Sequence, residues 1–372
     1  MPTNNTHRRP LATPIPHIIQ MTKTIGYAAQ SATEPLKPIE FERREPAAED
    51  VQIDILYCGV CHSDVHQVRN EWSNTLYPCL PGHEIVGRVS KIGDRVTKFQ
   101  VGDLAGVGCM VDSCQSCAPC HAQEEQYCEG PNGMTLTYNG PQQPDGSNTY
   151  GGYSDSIVVR EKFVLKIPEN LDLKAVAPLL CAGVTTYSPM RHWHVQAGQT
   201  IGIVGIGGLG NMAVKLAVAM GAKVVVFTTS PEKEADIRRL GAEDVVLSTD
   251  KEAMAKYASS FDLILSTIPT KHDLNPYILL LKKDATIVLV GALEPLEPID
   301  HSQVAFHRRS IAGSLIGSVA ETQEVLDFCS QHNIISDVEM ISIDRINEAY
   351  EQMIQGDVKY RFVIDMASLK GG

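Results

Sequence analysis

A short apolar strand, TIGIV, runs directly into Gly205-Ile-Gly207-Gly208-Leu209-Gly210, and the chain continues as an apolar helical stretch, NMAVKLAVAMG. The G-x-G-x-x-G pattern is weak alone. Between a strand and a helix it constrains the fold strongly, because glycines there allow a tight turn and let backbone N–H groups approach a pyrophosphate at a helix N-terminus. The same rhythm continues downstream. KVVVF reads as a strand, SPEKEADIRRLG as a helix opening at a serine with proline in its first turn, and DVVLS, FDLILST and ATIVLVG as further strands. Helices are expected around 251–258 and 274–280, and 173–181 (LKAVAPLLC) has helical period. Strands rich in Val, Ile and Leu alternating with helices specify a parallel sheet covered on both faces, an α/β doubly wound Rossmann arrangement.

The end of the second strand bears on which dinucleotide fits. An acid there would bind a ribose 2′-hydroxyl. This chain has Thr228, Thr229 and Ser230, with Lys233 one turn on. Hydroxyls and a cation suit a 2′-phosphate that a carboxylate would repel, so the expected cofactor is NADP(H). The plainer alternative is that the threonines merely end a strand and Lys233 is a solvated helix charge.

Before this region, residues 22–160 have a different texture: short strands such as VQIDILYCG, EIVGRVSKIG and YSDSIVVREKFVLKIP with glycine at the corners. They suggest an all-β, barrel-like domain with inserted loops. After about residue 310 come a strand (SIAGSLIG), a helix opening at TQEVLDFCSQH, and ISIDRINEAYEQMIQG as a second helix capped by Asp344 and ended by Gly356. YRFVID is a final strand. This segment is expected to return to the first domain, since the doubly wound region is complete by about 314.

Two groups of residues carry metal chemistry. Cys114-x2-Cys117-x2-Cys120-x7-Cys128 places four thiols in fifteen residues. Four thiolates can close a tetrahedral zinc site with no open position, which makes it structural; the x7 gap differs from the bacterial iron–sulfur run. The second group lies in CGVCHSDVHQVRNEWSNTLYPCLPGHE, where Cys61 and His83 form a zinc-type pair and Glu84 follows. Ser63, Asp64 and His66 between them could pass a proton. A third ligand must come from elsewhere, and Cys58, Cys79, Cys109, Cys181 and Cys329 are the candidates. Cys181 stands out because LLCAGVTTY lies where the β-rich region hands over to the cofactor region; the others are expected to be small buried hydrophobes.

Composition limits the partners. The 372 residues can build two domains, and 43% hydrophobic content can fill two cores. A net charge of −12 argues against nucleic acid or an anionic membrane surface. Lys215, Lys223 and Lys282 interrupt the most apolar segments, so no membrane span is expected. Ten cysteines without a secreted disulfide spacing point to metal ligation in a reducing compartment, the cytoplasm by default. Residues 1–20, with four prolines and no acid, read as a flexible extension.

The chain resembles the zinc-dependent medium-chain alcohol dehydrogenases, within them the cinnamyl alcohol dehydrogenase group and its bacterial NADP-dependent aldehyde reductases. The resemblance rests on CGVCHSDVHQ, YPCLPGHEIVGRV, GDLAGVGCMVDSC, PLLCAGVTTYSPMRHW, GIVGIGGLGNMAVKLAVAMGA, GSLIGSVAETQEVLDFC and INEAYEQMIQGDVKYRFVID, from about residue 22 to 367. It implies a flexible extension over 1–21, a GroES-like β-rich catalytic domain over 22–181, an NADP-binding Rossmann domain over 182–314 and a catalytic return over 315–372. It further implies a catalytic zinc on Cys61, His83 and Cys181 with Glu84 beside it, and a structural zinc on Cys114, Cys117, Cys120 and Cys128, two per subunit. Ser63 and His66 match the proton relay; Thr185, the 205–210 turn with Leu209, Thr228, Thr229 and Lys233 match cofactor contacts. Similar enzymes are homodimers joined through sheet edges, here near 287–293 and 310–316. Asn211 departs from the histidine usual in these relatives after the glycine motif.

The implied reaction is interconversion of primary alcohols and aldehydes, favouring reduction, over a broad aromatic and aliphatic range. Trp72, between Ser63 and His83, is a candidate for the substrate pocket, although large aromatics often only pack. Asp64 is expected to support the metal ligands rather than transfer protons. The competing readings are an NAD-linked polyol dehydrogenase, disfavoured by Cys181 and the missing acid, and a non-catalytic binding protein, disfavoured because ligands and relay residues are all present.

Overall fold

The computed structural model describes residues 21–140, 148–291, 294–356 and 361–370. The expected extension lies outside these residues except for Met21, which opens the strand Met21–Ala28.

Six parallel strands form the sheet that follows the glycine turn. Their spatial order is Asp244–Leu247, Lys223–Thr228, Thr200–Val204, Phe261–Ser266, Leu281–Leu289 and Ser310–Gly313. Counted along the chain this is 3-2-1-4-5-6, the doubly wound order, with its reversal beside Thr200–Val204. The central strands Thr200–Val204, Lys223–Thr228 and Phe261–Ser266 are buried almost throughout, as the apolar runs required. Helices are shorter than their sequence windows: Lys251–Ala255 and Asn275–Ile278. The last of the expected strands there begins four residues earlier than ATIVLVG, at Leu281.

A second sheet of seven strands is built around Asp50–Gly59. That strand pairs antiparallel with Ile85–Ile92, with Ser156–Arg160 and with the C-terminal Arg361–Asp365. The last pairing brings the end of the chain beside the segment leading to Cys61. The amino-terminal part is not all strand, however. Helix His62–Val68 follows Cys61 directly, because Asp64 folds back to accept from the Cys61 N–H and so supplies the cap.

The C-terminal segment also differs from its expected pattern. ISIDRINEAYEQMIQG is not one helix: Val338–Ser342 is a strand parallel to Arg361–Asp365, a 3-10 turn covers Ile343–Arg345, and the helix is Ile346–Gln355. Asp344 therefore sits inside the turn rather than at a cap, while Gly356 ends the helix at φ +73°. Helix Val319–His332 starts earlier than expected, with Ser318 and Glu321 forming a reciprocal cap. The run 173–181 splits into Leu173–Val176 and a 3-10 turn Ala177–Leu180.

Helix Ala182–His192 joins the two halves. It is buried from Ala182 to Met190 and shares a core with Val86 and Val363 of one sheet and Ile201, Ile203 and Val288 of the other. Cys181 caps its N-terminus. The sequence pattern does not show this helix, since a helix buried on all sides has no polar face. His192 and His194 lie exposed at its C-terminal end.

Candidate active site

Cys61 has extended backbone and stands at the mouth of helix His62–Val68. Asp64, fully buried, accepts from the Cys61 N–H (2.9 Å) on one oxygen and from Gly82 N–H (3.1 Å) and His83 Nδ1 (2.9 Å) on the other. With Nδ1 committed to that carboxylate, Nε2 is left as the lone-pair nitrogen of His83. Gly82 makes the turn at φ +103°, and a Cβ there would lie 2.8 Å from the Gly152 nitrogen. The ligand atoms of Cys61, His83, Glu84 and Cys181 all fall within 4.8 Å of one another, and all four residues are buried.

The electrostatics of this group suit a cation. Hydrogen bonding from Cys181 holds the Cys61 sulfur well below the usual thiol range. Burial pushes the Glu84 carboxyl up to about 8, against the pull of Arg361. Arg361 Nη2 donates to Glu84 Oε1, whereas the buried Oε2 has no partner among the described residues. Two thiols, an imidazole with a fixed tautomer and a carboxylate with a free oxygen in a dry pocket form a donor set that fits tetrahedral zinc. Gly59 makes room for this, since any Cβ there would collide with Glu84 Oε2.

Cys109 is not the buried hydrophobe expected of it. It is half-buried, its Sγ 3.8 Å from the Leu180 carbonyl, and its hydrogen bond with Cys181 pushes the latter's thiol up. Cys58, Cys79 and Cys329 are buried as expected.

Cys114, Cys117, Cys120 and Cys128 form the second group, again with sulfurs within 4.8 Å of one another. Backbone N–H groups of Cys114 and Gly130 donate to Cys128 Sγ, and that of Glu129 to Cys117 Sγ, each at 3.4 Å. The Ser116 backbone amide draws the Cys114 thiol down to about 5. This loop fits a closed four-thiolate zinc site.

Ser63 lies half-exposed in the first turn after Cys61, and His66 follows one turn on, on the same face. His66 Nδ1 is paired with Glu71, while its buried Nε2 has no partner among the described residues. Trp72 packs its half-buried ring against His66 at 5.9 Å. Glu71 was not singled out in the sequence; a carboxylate five residues beyond His66 was the available signal.

On the other side, Gly205 turns at φ +89°, and a Cβ on Gly210 would collide with the Gly205 carbonyl. A cleft of about 180 Å³ is lined by Gly207, Gly208, Asn211, His62, Lys233 and Arg361 among others. Arg361 Nη1 lies 2.5 Å from where a Cβ of Gly208 would stand, so one side chain touches both the glycine turn and Glu84. Leu209 is half-buried against the central core. Thr229 is exposed, but Thr228 is buried, with its hydroxyl accepting from the Ser230 N–H at 3.1 Å. Thr185 is buried in the helix after Cys181, its N–H bonded to the Cys181 carbonyl at 2.9 Å.

A doubly wound dinucleotide sheet facing a buried thiolate–imidazole–carboxylate group defines a metal-dependent dehydrogenase. Residues 47–169 match the alcohol dehydrogenase GroES-like domain and residues 208–331 the zinc-binding dehydrogenase domain. The chain is 55% identical over 351 residues to aldehyde reductase YahK of Escherichia coli, covering 93% of this chain and 99% of that one. It is 50% identical to NADP-dependent alcohol dehydrogenase C 1 of Mycolicibacterium smegmatis, over 94% of this chain and all of the relative. Among solved structures, a cinnamyl alcohol dehydrogenase of Sorghum bicolor superposes with a TM-score of 0.89 at 43% identity, over 93% of this chain and 98% of that one. CAD from Helicobacter pylori complexed with NADP(H) gives 0.87 at 41%, over 94% and 99%. The chain belongs to the zinc-binding alcohol dehydrogenase family.

Proposed function

We propose that the protein is a zinc-dependent alcohol dehydrogenase that works with NADP(H), mainly as a reductase of aromatic and medium-chain aliphatic aldehydes. The observation that carries this is the buried Cys61, His83, Glu84 and Cys181 group, linked through Arg361 to the glycine turn. Relatives that share half or more of the sequence are an aldehyde reductase and an NADP-dependent alcohol dehydrogenase.

Cys61, His83 and Cys181 would hold a catalytic zinc with Glu84 beside it, and Cys114, Cys117, Cys120 and Cys128 a structural one. When bound, zinc supplies Lewis acidity toward the substrate oxygen, and NADPH supplies the reducing equivalent. The protein's own residues do the rest. Asp64 keeps His83 in one tautomer and Cys61 at the helix mouth. Ser63 donates a proton to the oxygen of the forming alcohol, and His66 resupplies it. Glu71 orients the His66 ring and, with a side chain 47% exposed, opens the path to water. The N–H groups of the glycine turn and the Arg361 guanidinium would hold a pyrophosphate, and Thr229 and Lys233 would hold the ribose 2′-phosphate. Thr228, whose hydroxyl also accepts from the Ser230 N–H, and Thr185, in the central helix, would add further cofactor contacts. Trp72 borders the substrate entrance.

The domain division expected above carries through as part of this reading, with catalytic parts over 22–181 and 315–372 around a cofactor domain over 182–314. So do a homodimer formed at the Ser310–Gly313 edge and a cytoplasmic location. All ten cysteines are free thiols, and no described helix is long and apolar enough to cross a membrane.

Metal analysis and turnover test the proposal together. Purified protein should contain two zinc ions per subunit and oxidise NADPH with benzaldehyde, cinnamaldehyde or hexanal. Cys61→Ser should keep NADPH binding, retain one zinc and lose turnover. A wild-type chain with one zinc and no NADPH oxidation would overturn the assignment.

A further inference from the structure

The turn that carries His83 is held by a segment with no assigned role. Gly151, Gly152 and Tyr153 donate their three successive N–H groups to the carbonyls of Leu80 (2.8 Å), Gly82 (2.8 Å) and Pro81 (3.0 Å). The approach is close enough to demand both glycines. A Cβ on Gly151 would collide with the Gly82 carbonyl, and one on Gly152 would lie 2.7 Å from Cys58 Sγ.

Tyr153 then enters the core and is completely buried. Its hydroxyl donates to Asp64 Oδ2 at 3.4 Å, and the Tyr350 hydroxyl, from helix Ile346–Gln355, lies 3.5 Å from it. Phenylalanine would fill the same space without the cost of burying a hydroxyl, so the oxygen needs a use. Asp64 provides one. Its two oxygens already accept from Cys61 N–H, Gly82 N–H and His83 Nδ1, and the Tyr153 hydroxyl occupies the remaining acceptor site.

We infer that Tyr153 is a positioning residue for the metal-ligand pair Cys61 and His83, acting through Asp64, with residues 151–153 as the strap that fixes the His83 turn. The inference rests on the zinc-site reading above. Asp64 is the only described side chain that hydrogen-bonds both the Cys61 backbone and the His83 ring, so a carboxylate free to rotate would loosen both ligands at once. Tyr153 adds a contact at Oδ2, the oxygen that also accepts from the Cys61 N–H, and the strap fixes the Leu80–Gly82 turn beside it.

Tyr153→Phe removes the oxygen and little else. Groups that orient metal ligands typically change metal affinity or activity by one to two powers of ten, and Tyr153 acts one contact further out, so zinc should leave this site to a chelator about tenfold faster than from wild type. Loss of zinc from the four-cysteine loop should not change, which serves as an internal control. With cobalt in the Cys61–His83–Cys181 site, the visible absorption bands should shift, and kcat should fall with the KM for NADPH unchanged. In an Asp64→Asn background the same substitution should add almost nothing, because the single amide oxygen is left to the Cys61, Gly82 and His83 donors and the NH2 cannot accept from Tyr153. Unchanged chelation rate and cobalt spectrum in a folded Tyr153→Phe protein, or an effect that persists in full beside Asp64→Asn, would overturn the inference. If Tyr153→Phe does not fold, Tyr350→Phe, which removes the next hydroxyl, should show the same signature more weakly, and its absence there would also overturn it. A wild-type protein that lacks the second zinc would instead refute the zinc-site reading itself.

Discussion

The Glu84 carboxylate and the Arg361 guanidinium face each other where neither meets much water: the Glu84 side chain is fully buried and that of Arg361 is 12% exposed. Removing one member of such a pair leaves the buried hydrogen-bonding groups of the other unmet. Arg361→Met should therefore destabilise the fold by about 3 kcal/mol in urea titrations, and pairing it with Glu84→Gln should recover part of that loss. Full additivity of the two substitutions would contradict a direct pair. Lys233 has a simpler part. It lines the cleft beside Gly207 and Arg361, and one charge-assisted contact to a 2′-phosphate contributes about 1.5 kcal/mol. Lys233→Ala should raise the KM for NADPH about tenfold and leave that for NADH nearly unchanged; equal rises would remove Lys233 from phosphate recognition. These two residues also show what a linear reading reaches. Lys233 follows a strand end at a spacing the dinucleotide fold makes meaningful, so it could be singled out in advance. Arg361 could not, because its partner Glu84 is 277 positions away and its neighbours in YRFVID announce only a strand.

At the level of elements, the parallel strands were legible because burial on both faces forces continuous apolar runs, and the fold class followed from them. Elements defined by polar detail were not. The last two residues of the strand Val338–Ser342 fell within an expected helix because ISIDRINEAYEQ keeps a helical period across the boundary, and only pairing with Arg361–Asp365 separates the two. Helix His62–Val68 opens at a cysteine whose cap comes from Asp64, a residue also engaged with His83. Helix Val319–His332 has the conventional reciprocal cap of Ser318 and Glu321, at 3.1 and 2.9 Å. Its inner face carries Val325, Leu326 and Cys329 into the core shared with the central helix. Ser318→Ala should cost about 1 kcal/mol of stability, measured by chemical denaturation, with little change in kcat. A loss of turnover without a loss of stability would mean that this helix end does more than hold the core.

For the whole molecule, the weak point is the last strand of the parallel sheet. Among the described residues Ser310–Gly313 pairs on one side only, with Leu281–Leu289, and presents unpaired backbone on the other. An open edge of this kind is a template for further pairing unless something covers it. Near its two ends apolar side chains stand in water: Phe306 is 81% exposed and Leu315 47%. A second copy of the chain, with its own Ser310–Gly313 strand alongside, would satisfy the edge and bury these side chains together. Phe306 adds most, since removing an aromatic side chain from water is worth about 2 kcal/mol per subunit. Sedimentation should therefore give twice the chain mass at micromolar concentration. Phe306→Asp combined with Leu315→Asp should shift the protein toward monomer while leaving zinc content unchanged, because neither residue belongs to either metal-ligand group. A wild-type protein that sediments as a monomer would show that the edge tolerates solvent, and the dimer reading would fall.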